Sequence, residues 1–264
     1  MPTEPLRRIS EVDEQGGLAA FVDVETTGLS TRYDEVVELA IALFAFDRST
    51  GEIRGILDEY AGLRDPGRPI PAGAAGVHGI RDCDVKGKRL DDEQVLRLMD
   101  RAEFLVAHNE SFDRPFVERL YPEAAGKTWL CSMNGVPWRR EGFASRGLQS
   151  LLSDHGIRPE RAHRGAPDVR AALQLLACTD EDGVCYFKYL LDRHAHRASS
   201  SRAARKTRAA TKTQTAGATS RIRAAGATRK TGSAGSARQA KAAGATKPWM
   251  LRLLERCVPQ LFRR

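Results

Sequence analysis

Cysteine is scarce and badly spaced for structural use. The five cysteines stand at positions 83, 131, 178, 185 and 257, an odd number with no Cys-x-x-Cys pair. That spacing excludes a zinc ribbon and a complete disulfide framework, and it points to a reduced, cytoplasmic protein. Long apolar runs are also missing. No stretch of about 18 consecutive apolar residues occurs, and the N-terminus lacks the apolar core of a leader, so neither a membrane span nor a signal peptide is expected. Acidic residues are absent from residues 197–248, which hold 13 Lys/Arg in a background of Ala, Thr, Gly and Ser. With no apolar periodicity to build a core, that tract reads as disordered.

What is present divides the chain by charge. Residues 1–196 carry 25 Lys/Arg against 33 Asp/Glu, a net of −8, whereas residues 197–264 carry 17 Lys/Arg against the single acid Glu255, a net of +16. The expected organisation is a flexible N-terminus (1–17), a folded domain (18–196), the disordered basic tail (197–248) and a short amphipathic segment (249–264). In that last segment Trp249, Leu253, Leu254 and Val258 are expected to form one face of a short helix, which Pro259 would end.

Within the domain, Ala19 to Val24, Val36 to Phe46 and Glu52 to Tyr60 read as strands, and their tight connections predict an antiparallel meander. The Gly- and Pro-rich residues 62–89 read as largely loop with at most a helical turn. Leu90 to Arg101 reads as a helix, Glu103 to Ala107 as a short strand, and residues 111–121, Ser145 to His155, Ala166 to Cys178 and Cys185 to Arg193 as further helices. Strands first, then alternating helices and strands, predict an α/β fold with a mixed sheet.

The chemistry is concentrated in three clusters. Asp23 and Glu25 stand two apart in Phe21-Val22-Asp23-Val24-Glu25-Thr26-Thr27-Gly28-Leu29, so a strand points both to one face. Two like charges that close are costly, and a divalent cation between them is the usual remedy. The second cluster, His108-Asn109-Glu110-Ser111-Phe112-Asp113, runs from a strand end into a helix. The third is His163-Arg164-Gly165-Ala166-Pro167-Asp168, with Pro167 suited to the first turn of a helix. Taken singly, each has an ordinary explanation. Asp113 and Asp168 suit helix starts, Asn109 or Ser111 suits a cap, and His163 suits an exposed loop.

Together the three clusters resemble the DEDDh family of 3′–5′ exonucleases. Asp23, Glu25, Thr26, Thr27 and Gly28 match its first motif, His108, Asn109, Phe112 and Asp113 its second, and His163 with Asp168 its third. Val77-His78-Gly79-Ile80, preceded by Ile70-Pro71, and the stretch Leu148 to Ile157 add to the likeness, which covers about residues 18–178. Pro167 departs from many relatives, and the basic tail has no counterpart in the family's core domain.

The resemblance implies a ribonuclease H-like fold. Its mixed five-stranded sheet has antiparallel strands 1–3 and then parallel strands, flanked by helices. It also implies two Mg²⁺ or Mn²⁺ ions per active site, held by Asp23, Glu25, Asp113 and Asp168, and His163 as general base. The terminal 3′-hydroxyl would lie on the backbone of Thr26 and Thr27 beside Gly28, with Leu29 wedged against the last bases. Asn109 belongs to the same substrate side. Phe112 is assigned equally to the nucleotide pocket or to the core. His78 is assigned to the substrate or, more readily, to its own loop.

The implied substrate is a nucleic-acid 3′ end, with DNA favoured over RNA. The alternatives are an exoribonuclease and a noncatalytic binding protein of the same fold. The tail offers nonspecific phosphate contacts. Pro259-Gln260-Leu261-Phe262 faintly resembles a sliding-clamp peptide, and a polymerase partner is equally open.

Overall fold

The computed structural model describes residues 6–12, 16–159 and 163–200. Five strands form one sheet: β1 (Gly16–Thr26), β2 (Val36–Asp47), β3 (Ile53–Leu63), β4 (Phe104–Ala107) and β5 (Thr128–Cys131). Their order across the sheet is β3-β2-β1-β4-β5. β1, β2 and β3 pair antiparallel, while β4 joins β1 and β5 joins β4 in parallel. This is the mixed sheet of a ribonuclease H-like fold. β2 is buried along its whole length because helices cover the sheet on both sides.

Alternation along β1 separates two cores. Ala20, Val22 and Val24 face α3 (Asp92–Arg101) and α4 (Glu110–Leu120). Ala19 and Phe21 face α6 (Leu148–Asp154), α7 (Gly165–Ala177) and the helix over residues 186–200, called α8 below. Asp23 and Glu25 continue the Ala19–Phe21 parity, so they leave the core at the strand's end on the face that α7 covers.

The strands run longer than the residue pattern predicts. β1 begins at Gly16 and ends at Thr26, and β3 reaches Leu63. Two short helices, α1 (Ala72–His78) and α2 (Asp82–Val85), occupy the region expected to be largely loop. Three alanines and a half-buried side favour α1 despite its two glycines, and it ends where Gly79 adopts φ 71°. β5 is the strand that the residues alone did not disclose. A short helix α5 (Ser132–Gly135) follows it.

Of the N-terminal stretch expected to be loose, residues 7–9 exchange backbone hydrogen bonds with Ile56 at the edge of the sheet. α8 extends a few residues past the expected start of the tail. The remainder of the basic tail, the amphipathic segment 249–264 and the Pro259–Phe262 peptide lie outside the described residues. Among the described residues, no helix is long and apolar enough to cross a membrane.

Candidate active site

The turn after β1 is built around one carboxylate. Asp34 accepts from the backbone N–H of Ser30 at 2.8 Å and from the Thr27 hydroxyl at 3.2 Å. Thr27 is locked further by N–H donation to the Glu35 carbonyl at 2.8 Å, and its own oxygen accepts from the Glu35 N–H at 3.0 Å. Thr26 donates to the Gly28 carbonyl at 2.6 Å. A Cβ on Gly28 would sit 2.6 Å from an Asp34 oxygen, so only glycine fits. A register shift between Glu25 and Thr26, with Val37 of β2 left without a partner on β1, marks where β1 passes into this turn. Leu29 is left 40% exposed at its tip.

Four carboxylates from three elements meet beside the turn. β1 supplies Asp23 and Glu25. α4 supplies Asp113, whose Oδ1 accepts from the Val24 N–H at 3.3 Å and so lies against β1 between the two. α7 supplies Asp168, whose Oδ2 accepts from the His163 N–H at 2.9 Å and whose Oδ1 accepts from Gln149 at 3.2 Å.

Their electrostatics record the crowding. Burial, and then the charges of Asp113, Glu25, Asp168 and Glu38, push the Asp23 carboxyl well above the usual carboxylate range. Burial and the charges of Glu38, Asp168 and Asp113 raise Glu25 to about 8, with Arg164 pulling the other way. Burial raises Asp113 to about 7, and burial raises Asp168 as well.

His163 precedes α7 with φ 58°, a left-handed backbone unusual outside glycine. Its side chain is half-buried and its charge acts on both Asp168 and His78. His78 itself is 3% exposed. Its Nδ1 accepts from the Ile80 N–H at 3.0 Å, and its Nε2 finds no hydrogen-bond partner among the described residues.

Phe112 is half-buried and packs on the α3–α4 core, its ring 5.2 Å from that of Phe116. Asn109 stands at the N-cap of α4 but makes no capping bond with its side chain. Its Oδ1 instead accepts from the Ser111 hydroxyl at 3.1 Å. His108 is bonded on both ring nitrogens, to the Ser132 hydroxyl at 2.9 Å and the Arg146 carbonyl at 2.8 Å, and burial depresses it to about 4. It is therefore a neutral brace between β4 and the approach to α6.

Residues 20–176 match the family described as Exonuclease, RNase_T. The chain belongs to the DEDDh exonuclease family. Among its DEDDh relatives, the PolC-type DNA polymerase III of Listeria welshimeri is 33% identical over 159 residues, which are 58% of this chain and 10% of that polymerase. The PolC-type polymerase of Thermotoga maritima is 29% identical over 190 residues, 65% of this chain and 13% of that one. The chain thus spans about a tenth of the length of the curated relatives it matches. A solved structure, Exonuclease X in complex with 5′ overhanging duplex DNA, is 23% identical, with a TM-score of 0.46 over 64% of this chain and 99% of that one.

The DEDDh fold implies divalent cations, and the chemistry of the donor set, though not its spacing in this structure, fits them. The four acids offer hard oxygen ligands. Burial raises all four carboxyls, and the neighbouring acids raise Asp23 and Glu25 further, which a bound cation would offset. No group of three or more His, Cys, Asp or Glu among the described residues is gathered closely enough to chelate an ion. Asp113 and Asp168 are instead engaged by Val24, His163 and Gln149.

The motifs leave one site residue unmarked, Glu38. It is the partner of Glu25 across β1 and β2 and is 4% exposed. Its only signal in the sequence is an acid inside the otherwise apolar run from Val36 to Phe46.

Proposed function

We propose that this chain is a metal-dependent 3′–5′ exonuclease that hydrolyses the terminal phosphodiester of single-stranded or frayed DNA and releases nucleoside 5′-monophosphates. The observation that carries the reading is the convergence of Asp23, Glu25, Asp113 and Asp168 next to His163, all four carboxyls raised by burial and those of Asp23 and Glu25 raised further by the neighbouring acids. DNA is preferred over RNA as substrate because the relatives matched over this domain are DNA polymerases.

Asp23, Glu25, Asp113 and Asp168 would hold two Mg²⁺ or Mn²⁺ ions, which when bound supply charge neutralisation and Lewis-acid polarisation of the phosphodiester. The rest is done by the chain. His163 takes the proton from the attacking water at a ring nitrogen, a task suited to imidazole near neutrality. Asp168 steadies the base through the His163 N–H. The rigid turn from Thr26 to Gly28 presents its backbone to the terminal 3′-hydroxyl, and exposed Leu29 separates the last base from its neighbour. Asn109 and Phe112, at the start of α4, border the terminal nucleotide.

The test compares 3′-labelled and 5′-labelled single-stranded DNA and RNA, with Mg²⁺ or Mn²⁺ and with EDTA. Asp23→Ala and Asp113→Ala are each expected to cut cation-dependent mononucleotide release by at least about 10³-fold, roughly 4 kcal/mol of barrier, in protein that still folds. Unchanged turnover in either folded variant overturns the assignment.

A further inference from the structure

Glu38 is a buried carboxylate for which the proposed reaction has no use. Its oxygens are nevertheless fully engaged. Arg164 donates from Nη2 to Oε1 at 2.9 Å and from Nε to Oε2 at 3.1 Å, and the Gly165 N–H donates to Oε2 at 3.0 Å. Two consecutive residues thus converge on one carboxylate, and they are the two that follow His163. Gly165 is pressed so closely onto β2 that a Cβ there would stand 2.7 Å from that of Ala40. Ala40 is in turn the register partner of Asp23. His163 holds a left-handed backbone, which persists only where the surroundings over-determine it. Asp168 restrains it from one side through the His163 N–H, and the Glu38–Arg164–Gly165 contact restrains it from the other.

We propose that Glu38 is a positioning residue, which through Arg164 and the Gly165 N–H clamps the loop before α7 onto β2 and so holds the His163 imidazole toward the four carboxylates. The proposal rests on the exonuclease reading for the role it gives His163. The clamp also explains why a fifth acid is tolerated beside the site. A bidentate guanidinium offsets part of its charge, and its oxygens accept from Arg164 and the Gly165 N–H, even though its charge still raises Asp23 and Glu25.

Removing Arg164 alone would leave a buried carboxylate without its partner and risks unfolding. The deciding variant is therefore the double substitution Glu38→Gln/Arg164→Met, which removes both charges and keeps both stems, with Arg164→Lys as the conservative control. Two readouts are taken on the full chain: amide hydrogen exchange at His163 and Gly165, and steady-state cleavage of 3′-labelled single-stranded DNA with saturating Mg²⁺.

In the double variant, exchange protection at both amides is expected to fall by about tenfold or more while the thermal midpoint changes little. Its kcat is expected to fall by about 10²-fold, the scale of a displaced general base, with KM and Mn²⁺ affinity held within about threefold. Added imidazole should restore part of kcat, as it should in His163→Gly, where glycine accepts the left-handed backbone. Arg164→Lys should lie between the double variant and the wild type.

Retained exchange protection overturns the clamp. So does a joint loss of kcat, KM and Mn²⁺ affinity that imidazole does not relieve. If the wild-type chain shows no cation-dependent cleavage, the exonuclease reading falls, and exchange at His163 and Gly165 alone decides the clamp.

Discussion

Burial and like charge act in the same direction on the acids of the site. Glu25 is raised from 4.5 to about 8 and Asp113 from 3.8 to about 7. A carboxyl raised in the folded state binds its proton more tightly there than in the unfolded chain. The stability it contributes is complete below its unfolded value and is lost as pH rises through its folded one. Below about pH 6.5, His108, depressed to about 4, works in the opposite sense, since the unfolded chain then takes up the proton first. The clean window therefore lies between about pH 6.5 and about pH 9. We expect the thermal midpoint of EDTA-treated protein to fall across that window. Mn²⁺ should flatten the slope, because ligation favours the deprotonated acids. Scanning fluorimetry against pH, with EDTA and with Mn²⁺, checks this, and a flat EDTA profile contradicts it.

Most of these residues were legible because each acid sat in a short pattern of its own. Glu38 was not, because one acid in an apolar strand carries no spacing. Its meaning appears only when Arg164, far along the chain, folds over it. His108 shows the converse. It belongs to a motif, yet both its ring nitrogens are spent on Ser132 and Arg146.

At the level of elements, the turn from Thr27 to Asp34 is the most tightly specified. Gly28→Ala places a methyl group within 2.6 Å of the Asp34 carboxylate, which must then release Ser30 or Thr27. We expect a loss of about 1–3 kcal/mol of stability and a larger proportional loss of activity, because the same turn would seat the 3′ end. Urea unfolding and cleavage assays on the variant measure both, and an unperturbed KM would argue against the seating role.

The long strands β1 and β2 were readable as continuous apolar runs, and α3, α4 and α7 as helical periodicities. The rest was hidden for physical reasons. β5 is four residues long and pairs in parallel at the sheet's edge, so Thr-Trp-Leu-Cys carries no alternation to read. α1 and α2 lie in a Gly- and Pro-rich stretch whose local propensities favour loop. Packing of Ile70, Ile80 and Val85 on Val37 orders that stretch instead.

For the whole molecule, charge is the dominant asymmetry. The acidic body supplies the four converging acids, while residues 197–264 supply 17 Lys/Arg against one acid. Truncation after Ser200 is expected to leave cation-dependent turnover of short oligonucleotides intact. It should weaken nucleic-acid binding at low salt and reduce the slope of log affinity against log salt, by about 0.7 for each single-strand phosphate that the tail had neutralised. Fluorescence anisotropy over a salt series measures this, and identical slopes for the two proteins would remove the tail from the binding account.

The sheet order β3-β2-β1-β4-β5 also imposes a timetable on the assembly of the site. The first three strands pair with near neighbours in sequence, so they can form soon after they leave the ribosome. Asp113 and Asp168 arrive later in the chain, on α4 and α7, with His163 just before α7. A nascent chain therefore presents Asp23 and Glu25 before Asp113, Asp168 and His163 can join them. In refolding from denaturant, hydrolytic competence is expected to lag behind the recovery of far-ultraviolet circular dichroism, and simultaneous recovery would show that the helices do not dock last.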